Sequence, residues 1–470
     1  MSDSKKTTTG ARVIVVIACL ALALASALLV RHFDAIRGHS PEAKPSAALS
    51  SPEQILEQMP DPKGDSQTDK AIIQALAKVK QKSRNPLGWV TLGDSLMQKA
   101  RDATDETYYD PAESAYHYAL QLDPHFVGAM DGMAWVKGDR HLFDESIEWG
   151  KKAIAADPGN AAAYGIIGDA ALQLGDYEQA YTQYQKMTDL RPDISSYSRG
   201  AYLLWITGKR QDSLWLMKKA IRAGAPYAEN TAWCVARLAL MLFYDGAYLP
   251  AEQTLAPAVA AAPRNMQVLL TAGRIKIALH DNAAAREFYQ RALEVAPNVE
   301  ALGALGDLAA ADGAPAEAEE YYRKVDELHA QHMAKRGHDH LQVARFYADH
   351  DRNLVEALRL AEERKLTRNV FEADTLAWVY FKNHQLAKAQ EAIGRALSQN
   401  TPDPAIQFHA GMIAAGAGDR VTAQKYLGTA LSWSPLFSLV DAPKAVEMLQ
   451  DIGSHPVFAT GSVPAATPNP

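Results

Sequence analysis

Cysteine is nearly absent from this chain: of 470 residues only Cys19 and Cys234 carry a thiol, and Cys19 lies inside an apolar run, which excludes a disulfide framework. No charge of one sign dominates either. With 48 Lys and Arg against 55 Asp and Glu, the formal net charge of −7 offers no general surface for a polyanion, so nucleic acid is not expected as a partner. Common catalytic signatures are missing too: there is no H-E-x-x-H, G-x-x-x-x-G-K-[ST], G-x-S-x-G or C-x-x-C. Gly303 and Gly306 come nearest to a glycine-rich loop, but they sit in a helical stretch and lack the third glycine of a phosphate-binding fingerprint. The sequence therefore reads as a non-enzyme, with no catalytic residue, cofactor or metal assigned.

One long apolar run is present. Val13–Val30 is uncharged over eighteen residues, which at helical rise spans roughly 27 Å, close to a bilayer's hydrocarbon core. Lys5, Lys6 and Arg12 precede it, and Arg31, Arg37 and Lys44 follow. The expectation is a single-pass anchor in the inner membrane of a bacterium, with the remainder exported to the periplasm. A cleaved secretory signal is the alternative, since Ala25-Ser26-Ala27 has the small-x-small form, but Leu28, Leu29 and Val30 extend the run past it. A cytoplasmic location of the remainder is also open, because the flanking positive charges balance. Residues 31–66 are rich in Pro and Ser and read as a linker, and 456–470 as a disordered tail.

Between these ends the chain repeats. Pro124, Pro158, Pro192 and Pro226 recur every 34 residues, and Pro263 and Pro297 resume the interval. In the clearest unit, Ala161–Pro192, residues Tyr177, Ala180, Tyr184 and Met187 fall at steps of three or four, placing them on one helical face. Gly168 and Ala180 are small enough for two antiparallel helices to approach closely, and Gly175 suits the turn between them. Asp157-Pro158 and its counterparts end helices, because proline disfavours the α conformation of its predecessor and lacks an amide donor. Such a hairpin cannot bury its own apolar face, so neighbours must stack.

With Tyr164, Ile167, Gly168, Ala171, Gly175, Tyr177, Ala180, Tyr184 and Pro192 in one unit, and Trp89, Leu92 and Gly93 opening the first, the chain resembles the tetratricopeptide repeat. The resemblance implies an all-α, right-handed solenoid of about ten helix-turn-helix units over 85–436, preceded by one N-terminal transmembrane helix. Helices at 67–84 and 437–455 are expected to cap its ends. Two irregularities stand out: an insertion around Arg101–Asp110, and a poorly matching unit near His338–Arg364 where Arg345 replaces a small residue.

In that family the first helix of each unit lines a concave groove that binds protein or peptide. Carrying this register over places Trp135, Asp169, Tyr202, Trp205, Phe243, Arg274, Asp307, Phe346, Trp378, Phe381 and Phe408 on or near the inner face, with Arg199 and Arg237 at its edge. Trp233, Asp374 and Met412 join them. Aromatics with intervening Arg suit an extended or helical peptide; the alternative is that several of these aromatics fill gaps between adjacent repeats. The carboxylate-gripping variant of the family needs Lys and Asn where this chain has Val90 and Asp94, so that role is not assigned. The implied function is a non-catalytic, membrane-tethered scaffold for protein partners. A second reading, an assembly factor for c-type cytochrome maturation, rests on the helix Thr68–Lys82 leading into Gly88-Trp89. His329, His332, His338 and His340 cluster near the weakest unit and are weighed as metal ligands or polar surface. If the groove reading holds for Trp205 and Trp378, replacing both with Ala spares the helical circular dichroism.

Overall fold

The computed structural model describes residues 51–453 apart from residues 63, 65, 104, 225–228, 335–339, 364 and 366. It divides into two compact units, one ending at Gln58 and one beginning at Met59. The first holds α1 (Pro52–Glu57), opened by a capping box in which Ser51 and Gln54 satisfy each other's backbone amides.

The second unit is helical throughout its described residues. After α2 (Gln67–Gln81) come ten antiparallel hairpins. They are α3 (Pro86–Ala103) with α4 (Tyr109–Leu122), α5 (Val127–Asp139) with α6 (Phe143–Ala156), α7 (Ala161–Gln173) with α8 (Tyr177–Leu190), and α9 (Ile194–Ile206) with α10 (Arg210–Ala223). There follow α11 (Glu229–Tyr244) with α12 (Tyr248–Ala261), α13 (Met266–Ala278) with α14 (Asn282–Val295), and α15 (Val299–Ala311) with α16 (Pro315–Ala334). The last three are α17 (His340–Asp349) with α18 (Leu354–Glu362), α19 (Val370–Lys382) with α20 (Leu386–Ala396), and α21 (Pro404–Gly416) with α22 (Arg420–Trp433). Helix α2 packs on α3, and α23 (Asp441–Asp451) packs on α21 and α22.

A tyrosine ring laid over a glycine sets the hairpin. A Cβ on Gly168 would lie 2.4 Å from Tyr184, and one on Gly306 would lie 2.2 Å from Tyr322, so only hydrogen leaves room for the ring. The tyrosine hydroxyl then donates to the aspartate that follows the glycine, Tyr184 to Asp169 and Tyr322 to Asp307, each at 2.8 Å. The first hairpin repeats the device with Tyr116, Gly93 and Asp94, but across 22 residues rather than 15. The insertion takes up the difference, entering as a longer α3 and a 3-10 turn at Glu106–Tyr108. The irregular unit also survives as a hairpin, with α17 and α18 cut to 10 and 9 residues.

The stacked hairpins form a coil whose successive turns touch. Tyr177 Oη accepts from Val370 N at 2.9 Å, Thr401 Oγ1 donates to Ile206 O at 2.6 Å, and Ser434 Oγ donates to Phe243 O at 3.0 Å. These contacts join residues 193, 195 and 191 positions apart, so each turn of the coil takes between five and six hairpins. Apolar side chains follow the same path: Val370 belongs to the core of α7–α11, and Leu436 packs on that of α11–α13. The hairpin turns adapt to it. Gly175, Gly208 and Gly246 hold φ of 72°, 75° and 70°, and a Cβ on any of them would run into backbone of the later turn. His141, His280 and His384 hold the matching turn position elsewhere at φ 59°, so a side chain is tolerated where no second turn presses on it.

Residues 13–30 lie outside the described residues, as does the tail at 456–470. Among the described residues no helix is long and apolar enough to cross a membrane.

Gly175 and Gly418 separate closure from backbone strain, because a Cβ on Gly175 would lie 2.3 Å from the Arg368 carbonyl carbon whereas Gly418, at φ 78°, has nothing within 4 Å. Gly418→Ala is expected to cost about 1 kcal/mol of left-handed strain. Gly175→Ala should cost roughly 2 kcal/mol more, the range for forced overpacking. Urea unfolding of the two variants measures the gap.

Candidate functional site

The first helices of the hairpins, α3 through α21 in alternation, lie side by side and form the inside of the coil. Along α7 and α9, Arg199 forks onto Asp169, with Nε 2.9 Å from Oδ1 and Nη2 2.8 Å from Oδ2. The facing carboxylate holds the guanidinium charge more firmly than water would, raising its pKa despite burial. One helix further, the Arg237 guanidinium lies 4.8 Å from the Tyr202 ring centre and 5.1 Å from that of Trp233, forming no ion pair among the described residues.

From α11 to α23 the inside widens into a chamber of about 610 Å³, in the size range of ligand pockets. Its walls are charged and mostly matched. Arg274 Nε donates to Glu300 Oε1 at 2.7 Å and Nη1 to Tyr244 Oη at 3.3 Å. Burial opposes the Arg274 charge, and Glu300 more than offsets it, so the pKa ends above the ordinary value. His350 places Nδ1 2.8 Å from Phe346 O and Nε2 2.8 Å from Asp307 Oδ1. Both partners are acceptors, so both ring nitrogens donate and the imidazolium is the favoured form; burial works against it, but Asp307 raises the pKa overall.

Arg345 occupies the middle. Its Nε is 2.9 Å from each Asp349 oxygen, and Nη1 is 2.9 Å from Asp374 Oδ2. Asp374 also accepts from Nδ1 of the fully buried His409 at 2.8 Å. Burial alone would raise the pKa of Asp374, yet His409 and Arg345 together bring it below the ordinary value. Asp349 goes the other way, raised by burial that Arg345 only partly offsets. Sequence reasoning missed Asp349, His350, Asp403 and Glu300 as inner-face groups. It noticed Arg345 only as a misfit at a small position, which was the available signal for a widened interior.

The sequence-derived groove residues divide. Asp169, Arg199, Tyr202, Arg237, Arg274 and Asp307 are partly exposed on the inside, with Trp135 and Phe381 also partly exposed. Trp205, Phe243, Phe346, Trp378 and Phe408 are buried, at 0 to 5 % exposure, as rings that fill gaps between helices are. Trp205 stacks between Tyr244 and Phe371, at ring distances of 5.7 and 6.3 Å, where one turn of the coil meets the next. Trp378 stacks on His409 at 4.4 Å and packs against Phe408 on the adjoining first helix. Phe243 and Phe346 reach the chamber wall with only an edge.

One member of the histidine cluster is engaged within the fold. His329 Nε2 pairs with Glu356 Oε1 at 3.1 Å and its ring meets Tyr347 edge-on, while His338 lies outside the described residues. No group of three His, Cys, Asp or Glu placed to hold a metal ion occurs among the described residues. Cys234 is buried, and that burial pushes its thiol up to about 11, as for a core residue.

The tetratricopeptide repeat pattern matches residues 132–193 and 270–332. No curated protein matches the chain. Among solved structures, a thermophilic TPR protein of Thermus thermophilus is similar at 20% identity, covering 42% of this chain and 99% of its own, with a TM-score of 0.36. The pilF protein of Pseudomonas aeruginosa shares 20% identity over 47% of this chain and 97% of its own, also at 0.36. A tetratricopeptide repeat protein of Parabacteroides merdae shares 16% over 50% and 95%, again at 0.36. Likeness at this level says nothing about what the chain binds.

Two outcomes follow from the burial. Trp378→Ala should cost about 3–5 kcal/mol, the range for emptying a large core site, and the Trp205→Ala, Trp378→Ala pair should lose helical circular dichroism on mild heating. Burial pushes Asp131 and Asp139 on α5 up to about 6 from an ordinary 3.8. Both hold protons more tightly when folded, so stability falls as pH rises through that window. Asp139→Asn should remove part of that slope and gain on the order of 1 kcal/mol at pH 8, read from denaturant midpoints at pH 4, 6 and 8.

Proposed function

We propose that this chain, which carries tetratricopeptide repeats, is a membrane-tethered scaffold that receives an extended segment of a partner protein inside its coil. Tetratricopeptide repeats are typically non-enzymatic interaction modules, which supports the reading. The observation that carries the reading is the inner wall. Among the described residues Arg237 sits free of carboxylates between Tyr202 and Trp233, and the wall runs on into a chamber of about 610 Å³. An aromatic-flanked guanidinium gives much contact energy for little ordering, as peptide recognition requires. The apolar run Val13–Val30 and the Pro-rich stretch after it support a tether that holds the coil away from an inner membrane, on the periplasmic side. A role in assembling c-type cytochromes is supported only by α2 leading into Trp89, and normal haem attachment in a deletion strain would remove it.

A photo-crosslinking amino acid at Tyr202 tests the reading in living cells, with Val355 and Val421 as controls, since these are 83% and 81% exposed on second helices. A discrete crosslinked partner from position 202 and none from the controls is expected. Equal capture from all three positions would overturn the interior site.

A further inference from the structure

The cations of the chamber are already engaged, whereas its acids are in excess. Seven carboxylates line the walls with two arginines and one histidine, and Lys444 and His409 reach two of those acids, Asp441 and Asp374, from behind. Arg274 is held by Glu300, Arg345 by Asp349 and Asp374, and His350 by Asp307. A negatively charged guest would find no free cation there among the described residues. A positively charged guest would find Asp403.

Asp403 caps the N-terminus of α21, where Oδ1 accepts from Ala405 N at 2.9 Å. Its side chain is 8 % exposed and lines the chamber, and neither a hydrogen-bond donor nor a cation reaches Oδ2 among the described residues. Oδ2 is therefore open to the chamber, where an ammonium or guanidinium group could pair with it through a charge-assisted hydrogen bond. Burial, with the negative Asp374 nearby, already raises the pKa of Asp403, as expected of an acid short of a partner. Tyr244, Phe371 and Phe437 also line the chamber and supply apolar wall for the stem of such a side chain.

We infer that the chamber takes a lysine or arginine side chain of the bound segment, with Asp403 as its counter-ion. A metal cation is a poor fit, because no three ligating side chains converge among the described residues. The inference rests on the interior of the coil being the binding face.

Calorimetry on the purified full chain in detergent tests it with two probes, acetyl-Gly-Gly-Arg-Gly-Gly-amide and the same peptide with Glu in place of Arg. The Arg peptide should bind and weaken as salt rises, and the Glu peptide should give no heat. Asparagine caps helices as well as aspartate does, so Asp403→Asn keeps the bond to Ala405 and deletes only the charge; it should weaken the Arg peptide at least tenfold with circular dichroism unchanged. If Asp403 serves only as a cap, Asp403→Asn leaves affinity unaltered, and that result overturns the inference. Equal binding of both peptides, or of neither, overturns it as well. Crosslinks from position 202 would still report on the interior site in each of those cases.

Discussion

Close approach at glycine is the constraint from which this molecule is built. A tyrosine ring can lie across the first helix only because Gly168, or Gly306, offers hydrogen where any other residue places carbon. The ring's hydroxyl reaches the neighbouring aspartate, which fixes how the two helices slide against each other. Hairpins held in this way stack into a coil tight enough to meet itself. Asp169 and Asp307, two of the three aspartates described as receiving tyrosine, also receive Arg199 and His350 on the inner face. Hairpin geometry and the chemistry of the interior therefore share atoms.

Much of this could be read from the sequence. The 34-residue interval of proline and the recurring small positions fix ten hairpins, because each hairpin needs the same close contact. The register also put Asp169, Arg274 and Asp307 on the inside, since first-helix positions repeat with the unit. What periodicity could not reveal was the contact between turns of the coil. That contact is made by single polar side chains, Asn369, Thr401 and Ser434, donating to backbone carbonyls of the earlier turn, and such isolated bonds follow no helical period. Gly175, Gly208 and Gly246 were its trace, three successive glycines at a turn where other units accept histidine. Without that closure, Trp205 reads as an open anchor; with it, the ring is sealed between Tyr244 and Phe371.

Departure from consensus proved informative at the weakest unit. Where a small residue would keep helices close, Arg345 pushes into the interior and gathers Asp349 and Asp374 around itself. Shortened helices in the same hairpin leave room for it. Part of the chamber's polarity, Arg345, Asp349 and His350, thus comes from a unit that fits its own repeat badly, as expected where local rules yield to a site.

Contact between turns has a mechanical corollary. A coil whose turns already press backbone to backbone cannot be shortened along its axis, because Gly175 and Gly246 have no gap left to close. Drawing the turns apart instead opposes the hydrogen bonds at Tyr177, Thr401 and Ser434 and the apolar contacts of Val370 and Leu436, so compression and extension work against different groups.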